Sequence, residues 1–238
     1  MKSYLGGYFL IKLKPLLFGT EIGKLVYSCS ECINDHLVDM WSYSWTNDND
    51  KLAGAAKENF ILTDENIISI RKWVDSKHYE NKLVWPYIFT DIESVSEYKK
   101  IFFSHLGDIK IIGLYFDEEA AAEILEKFTP TLNKIAEIGL RTTLAKKVPE
   151  AEYENEILIG FDLIGIDAGG SFHTFYCHNK GRELESKFGL KLNRYGLFDT
   201  SKNFKKVLDY INIPTNGFEP NPWFVAKIKL VNSRNLRN

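Results

Sequence analysis

Ile109-Lys110-Ile111-Ile112-Gly113-Leu114-Tyr115-Phe116-Asp117-Glu118-Glu119-Ala120 is the stretch that decides the fold class. From Ile109 to Phe116 nearly every position is apolar, which predicts a strand buried on both faces. Asp117 then offers a side chain to the unpaired amide groups that open a helix. Glu118 and Glu119 put negative charge where the helix dipole favours it. The helix is expected to run from Ala120 to Phe128 and to end at Thr129-Pro130. A buried strand feeding a capped helix calls for a sheet covered by helices.

Working outward, Glu156 to Ile166 predicts a second strand that is apolar on both faces. Asp167-Ala168-Gly169-Gly170 is a turn signal, and Ser171 to Cys177 is expected to return as the other arm of a hairpin. A helix over Gly181 to Phe188 stops at Gly189. Thr200 or Ser201 caps another over Lys202 to Ile211, and Trp223 to Val231 forms a last strand with Lys227 and Lys229 on one face. Upstream, Tyr8 to Lys14 and Leu25 to Cys29 predict strands, and Trp41, Tyr43 and Trp45 alternate as one aromatic face of another. Thr63 or Asp64 caps a helix buried along Ile67, Ile70, Trp73 and Val74. Asp91 and Ser94 open a helix carrying Val95, Tyr98, Ile101 and Phe102. Residues 131–148 fit either helix or strand. This irregular order predicts an α+β fold with a mixed or mainly antiparallel sheet and packed helices. It forms one domain over 1–238, with 1–104 and 105–238 as subregions.

The chain has 238 residues, 45% of them hydrophobic, which is ample for a core without disulfide staples. Three cysteines do not make a disulfide framework, so a reducing cytoplasm is expected. The N-terminal apolar stretch is interrupted by Lys12 and Lys14 and reads as a strand more than as a signal peptide. No apolar run reaches the roughly 18 residues of a membrane span, so no membrane association is expected. The formal net charge of -2 hides an asymmetry. Residues 1–30 carry a balance of +3, residues 31–167 a balance of -12, and residues 168–238 a balance of +7. Such separation can give the folded protein an acidic and a basic face.

Few motifs carry chemistry. Cys29-Ser30-Glu31-Cys32 is a C-x-x-C pair, and Cys29, Cys32, His173 and Cys177 could supply a Cys₃His zinc tetrahedron. Against this, His173 and Cys177 lie four apart on a predicted strand, roughly 13 Å along it, too far for one metal unless the strand bends. The expectation is therefore incidental cysteines, no metal and no cofactor. His36, His78, His105 and His178 read as structural. Asp162 and Asp167 are five apart on a strand and fall on opposite faces, which disfavours shared acid–base work. Walker A, G-x-G-x-x-G, G-x-S-x-G, H-E-x-x-H and EF-hand patterns are absent from the sequence. Basic residues with interleaved aromatics in the C-terminal third (Lys180 to Lys206, Lys227, Lys229, Arg234, Arg237) could follow a nucleic-acid backbone. Solvated helices explain them as well, and no direct nucleic-acid contact is expected.

The pattern Ile159-Gly160-Phe161-Asp162-Leu163-Ile164-Gly165, then Gly170-Ser171-Phe172-His173-Thr174-Phe175-Tyr176-Cys177, then Pro220-Asn221-Pro222-Trp223, resembles immunity proteins of contact-dependent inhibition and other polymorphic toxin systems. The likeness covers about residues 105–231 and lies in layout. It implies a non-enzymatic inhibitor that covers the active site of one cognate toxin domain, expected to be a basic nuclease. An acidic surface would steer that encounter. The residues expected to meet the partner are Trp45, Asp48, Asp50, Glu150, Glu152, Tyr153, Glu154 and Glu156. The alternatives are a metal-binding or enzymatic protein organised around Cys29 and Cys32, and a nucleic-acid binder using the basic third.

Overall fold

A computed structural model describes residues 2–17, 22–37, 59–84, 88–129, 139–150, 155–200 and 202–232. Among the described residues eight strands form one sheet: β1 (Ser3–Lys12), β2 (Asp35–His36), β3 (Leu83–Val84), β4 (Ile88–Phe89), β5 (Ile109–Asp117), β6 (Glu156–Ile166), β7 (Phe172–Thr174) and β8 (Trp223–Val231). Their order is β3-β4-β1-β5-β8-β6-β7, with β2 also pairing β1. Every pairing is antiparallel, so the sheet is antiparallel throughout. β1 lies beside β5, so the two expected subregions contribute to one sheet within a single α+β domain.

The apolar runs sort by face. Along β5, Ile109, Ile111 and Tyr115 join a cluster with α1 (Asp64–Tyr79) and α2 (Ile92–Phe102). Ile112, Leu114 and Phe116 point the other way, toward α3 (Glu118–Lys127) and α4 (Gly139–Ala145). In β1 a bulge between Leu5 and Gly7 shifts the alternation, so Leu5, Tyr8 and Leu10 share the first face. A second bulge, between Leu158 and Gly160, does the same in β6. Under the β6–β7 end, a third cluster gathers Leu163, Phe175, Leu184, Phe198, Val207 and Trp223 beneath α5 (Gly181–Phe188) and α6 (Phe204–Ile211).

The helix caps follow the sequence. Thr63 accepts from the Asn66 amide at 3.2 Å, Asp91 from Ser94 at 2.7 Å and Asp117 from Ala120 at 2.8 Å. Gly139–Ala145 settles part of the ambiguous stretch as helix, while residues 131–138 lie outside the described residues.

Several expectations need correction. Leu25 to Cys29 is not a strand. The Asn34 side-chain amide takes the Val26 and Ser28 carbonyls at 2.7 and 2.9 Å, so that segment's acceptors are met by a side chain. α6 begins at Phe204 behind Asn203 in a left-handed conformation, with no side-chain cap from Thr200. Ile101 is exposed although it sits on a helix with a buried face. The expected strand over Ser171 to Cys177 ends at Thr174 and turns into a 3₁₀ segment, Phe175–His178. Phe175 and Tyr176, the first two residues of that segment, are both buried. The turn lets Phe175 meet the Phe198 ring at 5.0 Å and the Tyr176 hydroxyl donate to the Gly196 carbonyl at 2.8 Å.

Candidate metal centre

That turn brings a cluster together. Cys32, His173 and Cys177 place one ligand atom each within 4.8 Å of one another. Cys32 is exposed, and the other two are half-buried. The premise that kept His173 and Cys177 apart is therefore overturned. The strand bends after Thr174, and both side chains face one point.

Asp162 fastens the segments that carry the ligands. It is fully buried in β6, in the middle of an apolar run. It accepts from Ser28 Oγ at 2.8 Å and from Thr174 Oγ1 at 2.9 Å, and its own neighbour Leu163 donates a backbone N–H at 2.8 Å. One carboxylate thus ties the 28–34 segment to the end of β7. Beyond Ser28, the amides of Ile33 and Asn34 both bond the Ser30 carbonyl, closing a turn that carries Cys32 at its tip. Cys29 points inward and is fully buried, so the C-x-x-C pair is split between core and surface. His36 donates from Nε2 to the Cys29 carbonyl at 2.6 Å and stays outside the cluster.

The electrostatics favour ligation. Cys177 donates its thiol hydrogen bond to Cys32 and holds the Cys32 thiol down to about 5, helped by Ser30 and His173 against partial burial and the Glu219 charge. The same bond, together with burial, pushes Cys177 up. Ser30 Oγ lies 3.5 Å from Cys177 Sγ, and the Thr174 N–H donates to that sulfur at 3.5 Å. Cys29 is pushed up by burial and by the charge of Asp162, and remains an inert thiol. His173 turns Nε2 toward Asp167 (3.6 Å) and Glu219 (3.8 Å), while its Nδ1 is buried with no hydrogen-bond partner. With carboxylates near Nε2, Nδ1 is the ring atom left to serve as a ligand. Glu219 also lies 4.0 Å from His178 Nε2.

No protein-family model, curated protein or solved structure matches this chain.

The residues expected to meet a protein partner fare differently. Trp45, Asp48, Asp50, Glu152, Tyr153 and Glu154, like Trp41 and Tyr43, lie outside the described residues. Glu150 accepts from Lys227 at 2.6 Å and pairs with Lys229 at 3.0 Å. Burial opposes its charge, but the two ammonium groups overcome this and hold the carboxyl below its ordinary range. Glu156 accepts from the Tyr8 and Tyr115 hydroxyls, both at 2.7 Å, and Lys229 lies over the Tyr115 ring at 5.1 Å. Glu150 and Glu156 thus belong to one internal polar network. The expected basic third is partly committed in the same way: Lys227 and Lys229 face Glu150, Lys180 pairs with Glu183 at 2.9 Å, and Phe198 is core. Arg234 and Arg237 lie outside the described residues. Asp167 bonds its own turn, at Gly169 and Ser171, and does not meet Asp162 in shared chemistry.

Sequence reasoning gave Asp162 and Glu219 no part in this site. A charged residue inside the apolar run from Ile157 to Ile166 is the signal that marks Asp162. Glu219 carries no comparable mark, because its place depends on how the Pro220-Asn221-Pro222 loop packs.

Proposed function

We propose that this chain is a zinc-binding protein in which Cys32, His173 and Cys177 hold the ion and fasten the N-terminal 28–34 segment to the β6–β7 hairpin. The observation that carries this reading is the convergence of three ligand atoms within 4.8 Å, drawn from two separate stretches of chain. Tetrahedral zinc with two sulfurs at about 2.3 Å holds them roughly 3.8 Å apart, so the ligands need close by only about 1 Å. Two thiolates and an imidazole select a borderline ion such as Zn²⁺ over Mg²⁺ or Ca²⁺. Bound zinc would supply two positive charges that take up the Cys177 thiolate after its proton leaves. Asp167 and Glu219 orient the His173 ring from behind. Metal analysis of purified protein is expected to give one zinc per chain. Cys32→Ser or Cys177→Ser should lower affinity at least tenfold, and Cys29→Ala should leave it unchanged. Zinc retained in both serine variants would remove the reading.

A second observation favours the inhibitor role that the resemblance implies. Ile157 and Leu158 are 53% and 49% exposed, side by side at the start of β6 and directly after the acidic run that begins at Glu150. In the sequence this exposed apolar pair follows an acidic run, a combination that suits a basic protein surface. In this reading the chain works in the cytoplasm, bound to a cognate toxin domain, and turns over no substrate. Changing Ile157 and Leu158 together to Glu should abolish both co-purification with the toxin domain encoded beside it and protection of cells. Intact protection would displace the contact from this end of β6.

A further inference from the structure

We infer that peroxide joins Cys32 to Cys177 as a disulfide and thereby discharges the metal; the discharge rests on the zinc reading above. The argument is geometric. The two sulfurs belong to the cluster whose ligand atoms lie within 4.8 Å, and a disulfide needs about 2.05 Å. Cys32 sits exposed at the tip of the turn closed on the Ser30 carbonyl, where its side chain has room to turn toward Cys177. Cys29 is its neighbour by motif, yet it is fully buried and lies outside the cluster. Spacing in the sequence points to a Cys29–Cys32 bridge. The fold points to Cys32–Cys177.

The chemistry balances with hydrogen peroxide as the named oxidant. The Cys32 thiolate attacks one peroxide oxygen; an S–O bond forms, the O–O bond breaks, and hydroxide leaves to become water. Cys177 then attacks the Cys32 sulfur; the S–S bond forms, the S–O bond breaks, and a second hydroxide leaves as water. Two thiolates lose two electrons in all, and one peroxide, with two protons from solvent, is reduced to two waters. Zinc takes no part in the electron transfer. It keeps only His173 of its three ligands, and one imidazole does not retain it.

The test uses the full chain, reduced and loaded with zinc, then exposed to hydrogen peroxide. Zinc release is followed with a chromogenic chelator, and the bridge is mapped by peptide mass spectrometry. The expected result is release of the bound zinc in step with a Cys32–Cys177 linked peptide, reversed by dithiothreitol and unchanged in Cys29→Ala. Cys32→Ser and Cys177→Ser should form no internal bridge. A Cys29–Cys32 bridge overturns the proposal, and so does sulfinic acid at Cys32 beside a free Cys177; both leave zinc binding standing. Reduced protein that holds no zinc but still forms Cys32–Cys177 overturns the zinc reading and the discharge together, while the bridge itself remains supported. The unmutated chain suffices for the map if a variant fails to fold.

Discussion

Asp162 carries a charge that its surroundings resist. Burial raises its carboxyl to about 6, and the donors Ser28, Thr174 and Leu163 only moderate that rise. The folded value lies above the unfolded one, so the protonated form stabilises. That contribution is full below about pH 4 and is lost as pH rises through about 6. His36 works in the opposite direction. Burial depresses it to about 4, so its neutral ring contributes stability above its unfolded value, and this is lost as pH falls toward 4. Between pH 4 and 6 the two slopes oppose each other. Asp162→Asn keeps the size and most of the hydrogen bonds but has no proton to lose. Relative to the native chain, it should gain on the order of 3 kcal/mol between pH 4 and pH 7. Urea unfolding at a series of pH values checks this, and a pH-independent difference between the two proteins would refute it. The sequence shows Asp162 as a charge out of place in an apolar strand. It does not show that Ser28 and Thr174 bond it, because those partners are set by how a loop and a strand end pack.

At the scale of elements, the caps and the buried strands are legible because their causes are local. Asp117, its two following glutamates and the apolar run before them are contiguous. Asp117→Ala should cost about 1 kcal/mol, read as a lowered urea midpoint, because the Ala120 amide loses its acceptor. The bulge in β6 is less visible. Gly160 sits at φ +147, and a Cβ there would meet Leu197 Cβ at 2.6 Å and the Phe198 carbonyl oxygen at 3.0 Å. Gly160→Ala should therefore cost on the order of 3 kcal/mol, from backbone strain and overpacking together, whereas an ordinary exposed strand glycine would gain from the change. An unchanged or raised midpoint would show that the bulge relaxes freely. The approach of His173 to Cys177 turns on an element boundary. The distance rule for strands is sound, but the strand stops at Thr174, before Cys177 is reached. The 3₁₀ segment that follows buries Phe175 and Tyr176 together, and their partners, the Phe198 ring and the Gly196 carbonyl, lie some twenty residues away in sequence.

For the whole molecule, the zinc reading predicts a coupling between distant stretches of chain. Zinc at one hundred times its dissociation constant should add about 2.7 kcal/mol to unfolding, and a chelator should remove it. Amide exchange should quicken on chelation in residues 26–34 and 172–178, with β1 and β5 unaffected. Equal quickening across the sheet would mean that the metal acts on overall stability and not on that junction. The α+β class follows from periodicity, but the strand order does not. Nothing local says that Trp223–Val231 belongs between β5 and β6. That central place of β8 has a consequence for biosynthesis. Every other strand of the sheet leaves the ribosome before β8 does. Until it arrives, β5 and β6 each present an unpaired edge, and the β3-β4-β1-β5 portion has no partner strand joining it to the β6–β7 hairpin. The nascent chain must therefore hold two incomplete half-sheets apart from one another and from other chains, and a chain stopped at Pro222 should aggregate more than one that includes β8.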